Sequence, residues 1–405
     1  MQESTDKKKQ WSYKESFFFL GGLVLLGFII EFISGGAGFS SPPFPYNVTI
    51  LCELVVLIPL AFFMYSTSPL IRWLSSIPAA IAAIIMLTIL VLLIGFIPAD
   101  SMAPAGIMHR LGFTHLFHSW AYLFASLQLI IILGFTVMKR LTPVSWRNFA
   151  FFLNHFGLWI VLVAASLGTG DMKTMMMYCR IGHTTTDAYN EQMESYRMPF
   201  ALQLQKFTIE EYNPTLVLVD NKTEKILKNK NNDDFVLGKG KHYNLKNWRI
   251  EADTYLPYSF RNDSGFSERD TVGAVPSAYV VINDSLRGWI SSGNAFNKPA
   301  YLRLNNEYTL AMTLPQPKLF RSDLLLSDTE TKQSIVLEVN KPFSYKGWEL
   351  YQSGYDNEKG KWSQISIIQA VRDPWLPVVF GGIYILLAGA VMMFWLGNRK
   401  REEAR

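Results

Sequence analysis

The sequence predicts a polytopic α-helical membrane protein of about six transmembrane helices, with both termini cytoplasmic and one large β-rich exported domain. Three observations predict it. Six apolar segments each approach the roughly 20 residues that cross a bilayer. A long block of ordinary polarity separates the fifth from the sixth. Lys and Arg gather at alternate ends of the spans, as cytoplasmic anchors do.

The spans read as Phe17–Ser34, Val48–Ser66, Ile77–Ile97, Phe113–Met138, Phe149–Gly168 and Trp375–Leu396. Lys7, Lys8, Lys9 and Lys14 precede the first, and Arg72 lies between the second and third. Lys139, Arg140 and Arg147 lie between the fourth and fifth, and Arg399, Lys400, Arg401 and Arg405 follow the last. With six spans, all of these fall on one side. The opposite short loops, Gly35–Asn47 and Pro98–Gly112, hold only Arg110. The expected organisation is a cytoplasmic tail over 1–16, a five-helix membrane region over 17–168 and an exported β-rich domain over 169–374. A final transmembrane helix over 375–396 and a basic cytoplasmic tail over 397–405 complete it.

Hydrophobic residues make up 49% of the 405 and aromatics 14%, with a net charge of +5 and a mean hydropathy of +0.13. The average conceals very apolar blocks beside a polar one. The positive excess fits membrane anchors, and no nucleic-acid-binding motif accompanies it. Two cysteines, Cys52 and Cys179, exclude a disulfide framework. No CxxC pair is present, so thioredoxin-like, zinc-ribbon and covalent-haem motifs are also excluded. The two read as unrelated thiols, or as a bridge if both lie near the exported face. The polar start MQESTDKKKQ, followed by a long apolar run, does not read as a cleavable signal peptide.

Ionisable side chains inside apolar spans are costly, so each is a site candidate. The stretch from Trp146 to Gly170 carries His155 about two turns in from its basic end. Neutral imidazole can ligate haem iron from within a helical bundle. A structural histidine there would instead need a hydrogen-bond partner on another helix. Gly157 beside it permits close approach of a flat ligand or a helix. In span four, His115 and His118 are spaced to share one helix face, suited to ligation or to lining the helix–water boundary. Two histidines alone do not complete a zinc site. Glu31 and Glu53 sit at similar depths in spans one and two. They either reach the surface, bond neighbouring helices, or handle protons or cations.

The polar block reads as short strands separated by turns. The strand candidates are ALQLQKFTIEEY, PTLVLVD, NWRIEADTYL, SAYVVIND, YTLAMTLP, SIVLEVN, GWELYQSGYD and KWSQISIIQAV. NKNNDD and RNDSGFSERD are the turn-rich separators. This spacing predicts a sandwich or open barrel. No Ser-His-Asp order, paired-carboxylate motif or phosphate loop stands out, and His183 and His242 read as solvated loop residues. The block suits binding or positioning rather than hydrolysis. A cofactor-free membrane-anchored binding or sensor module is the alternative. A secondary transporter is disfavoured, because neither an inverted repeat nor paired broken helices is visible.

Three stretches resemble the ResB (CcsB) family of system II cytochrome c biogenesis. They are HLFHSWAYLFASLQLIIILGFTVMKRL, NHFGLWIVLVAASLGTG, and the C-terminal NKPFSYKGWELYQSGYD with VRDPWLPVVFGGIYILLAGAVMMFW. The resemblance spans residues 113–398, and spans two and three are additional to the usual four-helix plan. It implies a subunit that handles haem b across the plasma (inner) membrane and positions apocytochrome c for covalent attachment. Such a subunit is non-catalytic or co-catalytic. The resemblance also implies a CcsA-like membrane partner, because this chain lacks that partner's Trp-rich motif, and indirectly a thiol-reducing thioredoxin-like protein. By motif match, His155 is implied as an axial haem ligand. Gly347, Trp348, Tyr351 and Gly354 of the last hairpin read as its packed core or as substrate contacts.

Overall fold

The computed structural model describes residues 11–97, 106–141, 145–227 and 235–402, with side chains to 396. The basic residues Lys7–Lys9, the separator Asn229–Asp234 and part of the Pro98–Gly112 loop lie outside the described residues. The chain divides into two compact units, 1–172 with 373–405, and 173–372.

The first unit is helical. Among the described residues six helices are long and apolar enough to cross a membrane, so the chain is a multi-pass membrane protein. They are α1 (Tyr13–Ile33), α2 (Tyr46–Tyr65), α4 (Ile77–Phe96), α6 (Trp120–Arg140), α7 (Trp146–Gly168) and α8 (Leu376–Glu402). Two short helices, α3 (Pro69–Leu74) and α5 (Ile107–Arg110), lie in connections. Helix α6 is central. It packs Ile130, Leu133 and Phe135 against α2 and α7, Ile132 against α1 and α4, and Ala121 and Ala125 against α1 and α4 nearer its start.

Helix α6 starts seven residues later than span four suggests. Gly112 turns the chain at φ +76°, and Leu116–His118 forms one 3₁₀ turn. The Ser119 hydroxyl then caps the true helix, accepting from the Tyr122 N–H at 3.2 Å. A serine at this position satisfies an N–H that the first turn leaves without a partner.

Helices α7 and α8 meet through glycines. A Cβ placed on Gly157 would lie 2.3 Å from the Leu386 nitrogen, and one on Gly389 would lie 2.3 Å from that of Asn154. The Asn154 amide donates to the Leu386 carbonyl at 3.2 Å. Small residues let backbones approach where lipid provides no hydrophobic drive between helices.

The second unit is β-rich. Its first sheet has eight strands, numbered in chain order. In space they run β13 (Lys332–Glu338), β12 (Gln316–Ser327), β3 (Ser195–Tyr212), β2 (Thr184–Tyr189), β1 (Lys173–Arg180), β16 (Ile365–Arg372), β15 (Trp348–Tyr355) and β14 (Phe343–Tyr345). The two edge strands are joined through Val339–Pro342, so the sheet is nearly closed. Inside lie Met177, Phe200, Leu202, Leu204, Leu324 and Trp348. Strand β1 pairs with β16 from Lys173↔Arg372 onward, so the unit's first and last strands are neighbours.

Around a second core of Leu218, Leu245, Ile250, Val280 and Leu310 lie two smaller sheets. One holds β4 (Leu216–Asp220), β10 (Leu302–Arg303) and β11 (Tyr308–Met312). The other holds β5 (His242–Leu245), β6 (Trp248–Asn262), β7 (Gly265–Glu268), β8 (Val275–Ile282) and β9 (Leu286–Ser291). The expected separator RNDSGFSERD is not all turn: β6 runs into it, and β7 folds back from Asn262↔Gly265. Both cysteines are free. Cys52 is exposed on α2, and burial inside the eight-stranded sheet pushes the Cys179 thiol up to about 12.

Candidate functional site

His155 lies nine residues into α7, about 14 Å along the axis at 1.5 Å per residue. Ser145 starts this helix by accepting from the Asn148 N–H at 3.2 Å. His155 Nδ1 is 3.1 Å from the Phe151 carbonyl one turn back. A carbonyl only accepts, so Nδ1 carries a proton, and in the neutral ring Nε2 is then the nitrogen with the lone pair. Among the described residues no group bonds Nε2. The imidazole stacks on the Phe151 ring at 3.7 Å and 15°. The Arg140 guanidinium lies over that same ring, with Cζ 4.8 Å from its centroid.

The faces of α7 are assigned differently. Gly157 and Asn154 face α8, so the space that a small residue leaves at 157 is filled by a helix rather than by a flat ligand. Phe152, Phe156 and Trp159 turn the other way, towards a cavity of about 250 Å³ also lined by Ile58, Gly134 and Met138. Phe151, His155 and Leu158 occupy the remaining face, where His155 is half-buried and Leu158 exposed. The histidine therefore sits on neither packed face.

His115 and His118 do not share a face. The 3₁₀ turn between them sends His118 outward, where it is exposed, while His115 turns inward to Glu31. His115 Nε2 is 3.1 Å from Glu31 Oε1. The same carboxylate accepts from the Gly38 N–H at 2.8 Å and from Trp120 N–H, at the start of α6, at 3.0 Å. Glu31 is fully buried, so it bonds neighbours instead of reaching the surface. It fastens three chain segments and places an anion at a helix N-terminus, where the dipole favours one. Sequence reasoning missed the third histidine of this cluster. His109 lies beside His115 with ring centroids 4.9 Å apart, and Thr114 Oγ1 stands 3.3 Å from His109 Nδ1 and 3.4 Å from His115 Nδ1. Its signal was Gly36, where a Cβ would fall 2.7 Å from the His109 carbonyl oxygen and 2.9 Å from its ring.

At the same end of the helical unit, Asp171 receives three donors. They are the Asn47 amide and Trp375 Nε1, both at 2.7 Å to Oδ2, and the Phe44 N–H at 2.7 Å to Oδ1. Burial pushes this carboxyl up, but the three hydrogen bonds outweigh it and hold it below the usual range. The Arg-Asp-Pro-Trp stretch thus works structurally, with Trp375 pinning the start of α8.

In the β-rich unit, Gly347 makes a turn at φ +80° and Trp348 is 1% exposed, which is a packed hairpin. Tyr351 points outward, and Gly354 follows a bulge opposite Ile367. Beside it a cleft of about 400 Å³ is lined by Tyr178, Phe320, Gln352 and Tyr355 among others. Beneath the cleft, Ser322 donates to Gln352 at 2.6 Å and lies 2.7 Å from Ser366. His183 and His242 are exposed, the latter 3.8 Å from Glu251. Among the described residues no group of three His, Cys, Asp or Glu is placed to hold a metal ion.

Fold and site together define a class: a multi-pass helical membrane protein with a β-rich domain inserted before its last span. Residues 279–366 match the model of the ResB-like family, and the chain is ResB-like over that segment. At the level of the family the match supports a role in cytochrome c biogenesis. The matched segment runs from β8 to β16, entirely within the β-rich unit. It includes the hairpin stretch that resembles the family in sequence, and none of His115, His118 and His155. No curated protein matches the chain.

Proposed function

We propose that the chain is a membrane subunit of cytochrome c biogenesis that holds haem as cargo on the open face of α7, with His155 as one axial ligand. The observation that carries this reading is the state of the imidazole. Its Nδ1–H is anchored to a carbonyl, Nε2 has no partner among the described residues, and neither α8 nor the α2–α6 side covers it. Metal-ligating histidines characteristically give their second N–H to such an acceptor, which fixes the ring and raises its basicity. The donor set fits haem: one imidazole lone pair, the flat Phe151 beside it, and the Arg140 cation one ring away for a carboxylate.

On this reading His155 would ligate the haem iron, Phe151 would pack beside the ring, Arg140 would neutralise a carboxylate, and a CcsA-like partner would supply a further ligand. The β-rich domain, on the exported side, offers its Tyr178–Tyr355 cleft to apocytochrome c. The test is a haem titration of the full chain in lipid nanodiscs, read as the Soret band. Wild type takes up haem with a ligated spectrum, and His155→Ala lowers affinity by about tenfold or more, the effect expected of losing a metal ligand's support. Equal spectra and affinities for the two proteins would refute ligation by His155. The cofactor-free alternative, a membrane-anchored binding or sensor module, predicts instead that deleting the gene leaves c-type cytochromes intact.

A further inference from the structure

Helix α2 carries an ionisable side chain on a face that nothing among the described residues covers. One side of the helix is packed: Ile58 is buried, and Leu51, Leu54, Ala61 and Phe62 lie against α6 and α7. The opposite side is a second seam, Tyr46, Thr49, Glu53, Val56, Leu60 and Phe63. Its alternating spacing of three and four residues is the repeat by which helices pack along their length. Every residue of this seam is exposed, and the span is the least buried of the six, at 6% against 50% for α6.

An apolar seam alone would be satisfied by lipid. Glu53 is not. It lies seven residues below Tyr46, about 10 Å along the axis, and exposed Tyr46 and Phe44 mark the aromatic level of the interface. A glutamate has too short a stem to climb that distance, unlike the long Lys and Arg side chains that reach the interface. Among the described residues Glu53 has no hydrogen bond and no ion pair. Carboxylates at such depth face protein or water and pair with another group. Glu31, at a similar depth in α1, is satisfied within its own chain, so the bundle pairs one of these acids and leaves the other outward.

We infer that this seam docks a transmembrane helix of a different protein, one that brings a Lys or Arg to the depth of Glu53. A second copy of this chain is the wrong occupant. A parallel twofold pairing of α2 sets Glu53 against Glu53, and like charges repel where there is no water to screen them. The inference concerns α2 alone and stands whether or not His155 ligates haem.

The test uses the full chain, donor-labelled and reconstituted in vesicles with acceptor-labelled single-span Leu/Ala peptides. One peptide carries Lys at the matching depth, one Leu and one Glu. Energy transfer is expected to report association with the Lys peptide about tenfold tighter than with the Leu peptide, the factor that corresponds to a hydrogen-bonded polar contact in model helices. Glu53→Gln reduces that preference, and Glu53→Lys transfers it to the Glu peptide. Equal association of Lys and Leu peptides overturns the inference. So does a preference that survives in Glu53→Lys, or energy transfer between copies of the chain that Leu60→Ala abolishes.

Discussion

Glu31 and His155 are both polar residues on apolar helices, and their surroundings separate them. Glu31 has every oxygen engaged, to two backbone N–H groups and to His115. Replacing it by Ala leaves the partly buried Gly38 and Trp120 N–H groups without acceptors. We expect a loss of about 1 kcal/mol for each group, the low end of the range for buried groups, read as reduced thermal stability of the full chain in detergent. An unchanged melting temperature would refute the anchoring role. His155 has one nitrogen engaged and one without a partner among the described residues. Both acids and the histidine were visible in the sequence as charges where charge is costly. Which of them was already satisfied was not, because the partners come from segments far away in the chain. For Glu31 they are residues 38, 115 and 120.

In the β-rich unit a different residue sets a pH response. Asp328 accepts from Lys346, Tyr345 and the N–H groups of Glu330 and Thr331, which hold its carboxyl far below the usual range. The unfolded value is about 3.9. The stability that Asp328 contributes is therefore present above about pH 4 and is lost as pH falls towards the lower folded value. Hydrogen exchange of β13 and β14 between pH 6 and 3 should show acid loosening in wild type and a shallower dependence in Asp328→Asn. Identical slopes would remove Asp328 as the cause.

Among elements, the closest approach in the membrane unit is that of α7 and α8. Adjacent glycines of α8 give a matched comparison. Gly382 would drive a Cβ to within 2.9 Å of Ile160 and Val161, whereas Gly381 meets nothing within 4 Å. Gly157→Ala, which meets the α8 backbone itself, should separate the helices and lower thermal stability. Gly381→Ala should be neutral or gain about 0.5–1 kcal/mol from helix propensity. Equal effects would show that backbone proximity does not hold the pair. Strands with clean alternation were legible, and all eight read from the sequence are present. β12 was missed because bulges at Pro317/Leu319 and Asp323/Leu324 shift its pattern between faces. β1 was missed because KTMMMYCR has no polar alternation, and α6 was read too early because Phe113 and Leu116 are apolar without being helical.

For the molecule as a whole, the β-rich unit enters at Lys173 and leaves at Arg372 as paired neighbours, so one insertion separates α7 from its partner α8 in sequence but not in the fold. The division into a helical and a β-rich part was legible from hydropathy alone, whereas the near-closure of the large sheet was not, since it depends on pairing residues such as Met177 and Ile368 that are far apart in the chain. The proposal that rests on both units is that a chain ResB-like over residues 279–366 holds haem through its membrane histidine, His155. Its most direct test is the Soret spectrum of haem-loaded His155→Gly with and without added imidazole. The account predicts a spectrum altered by the substitution and restored by imidazole, which refills the vacated ligand position. A variant whose spectrum matches wild type without imidazole, or one that imidazole leaves unchanged, would contradict it.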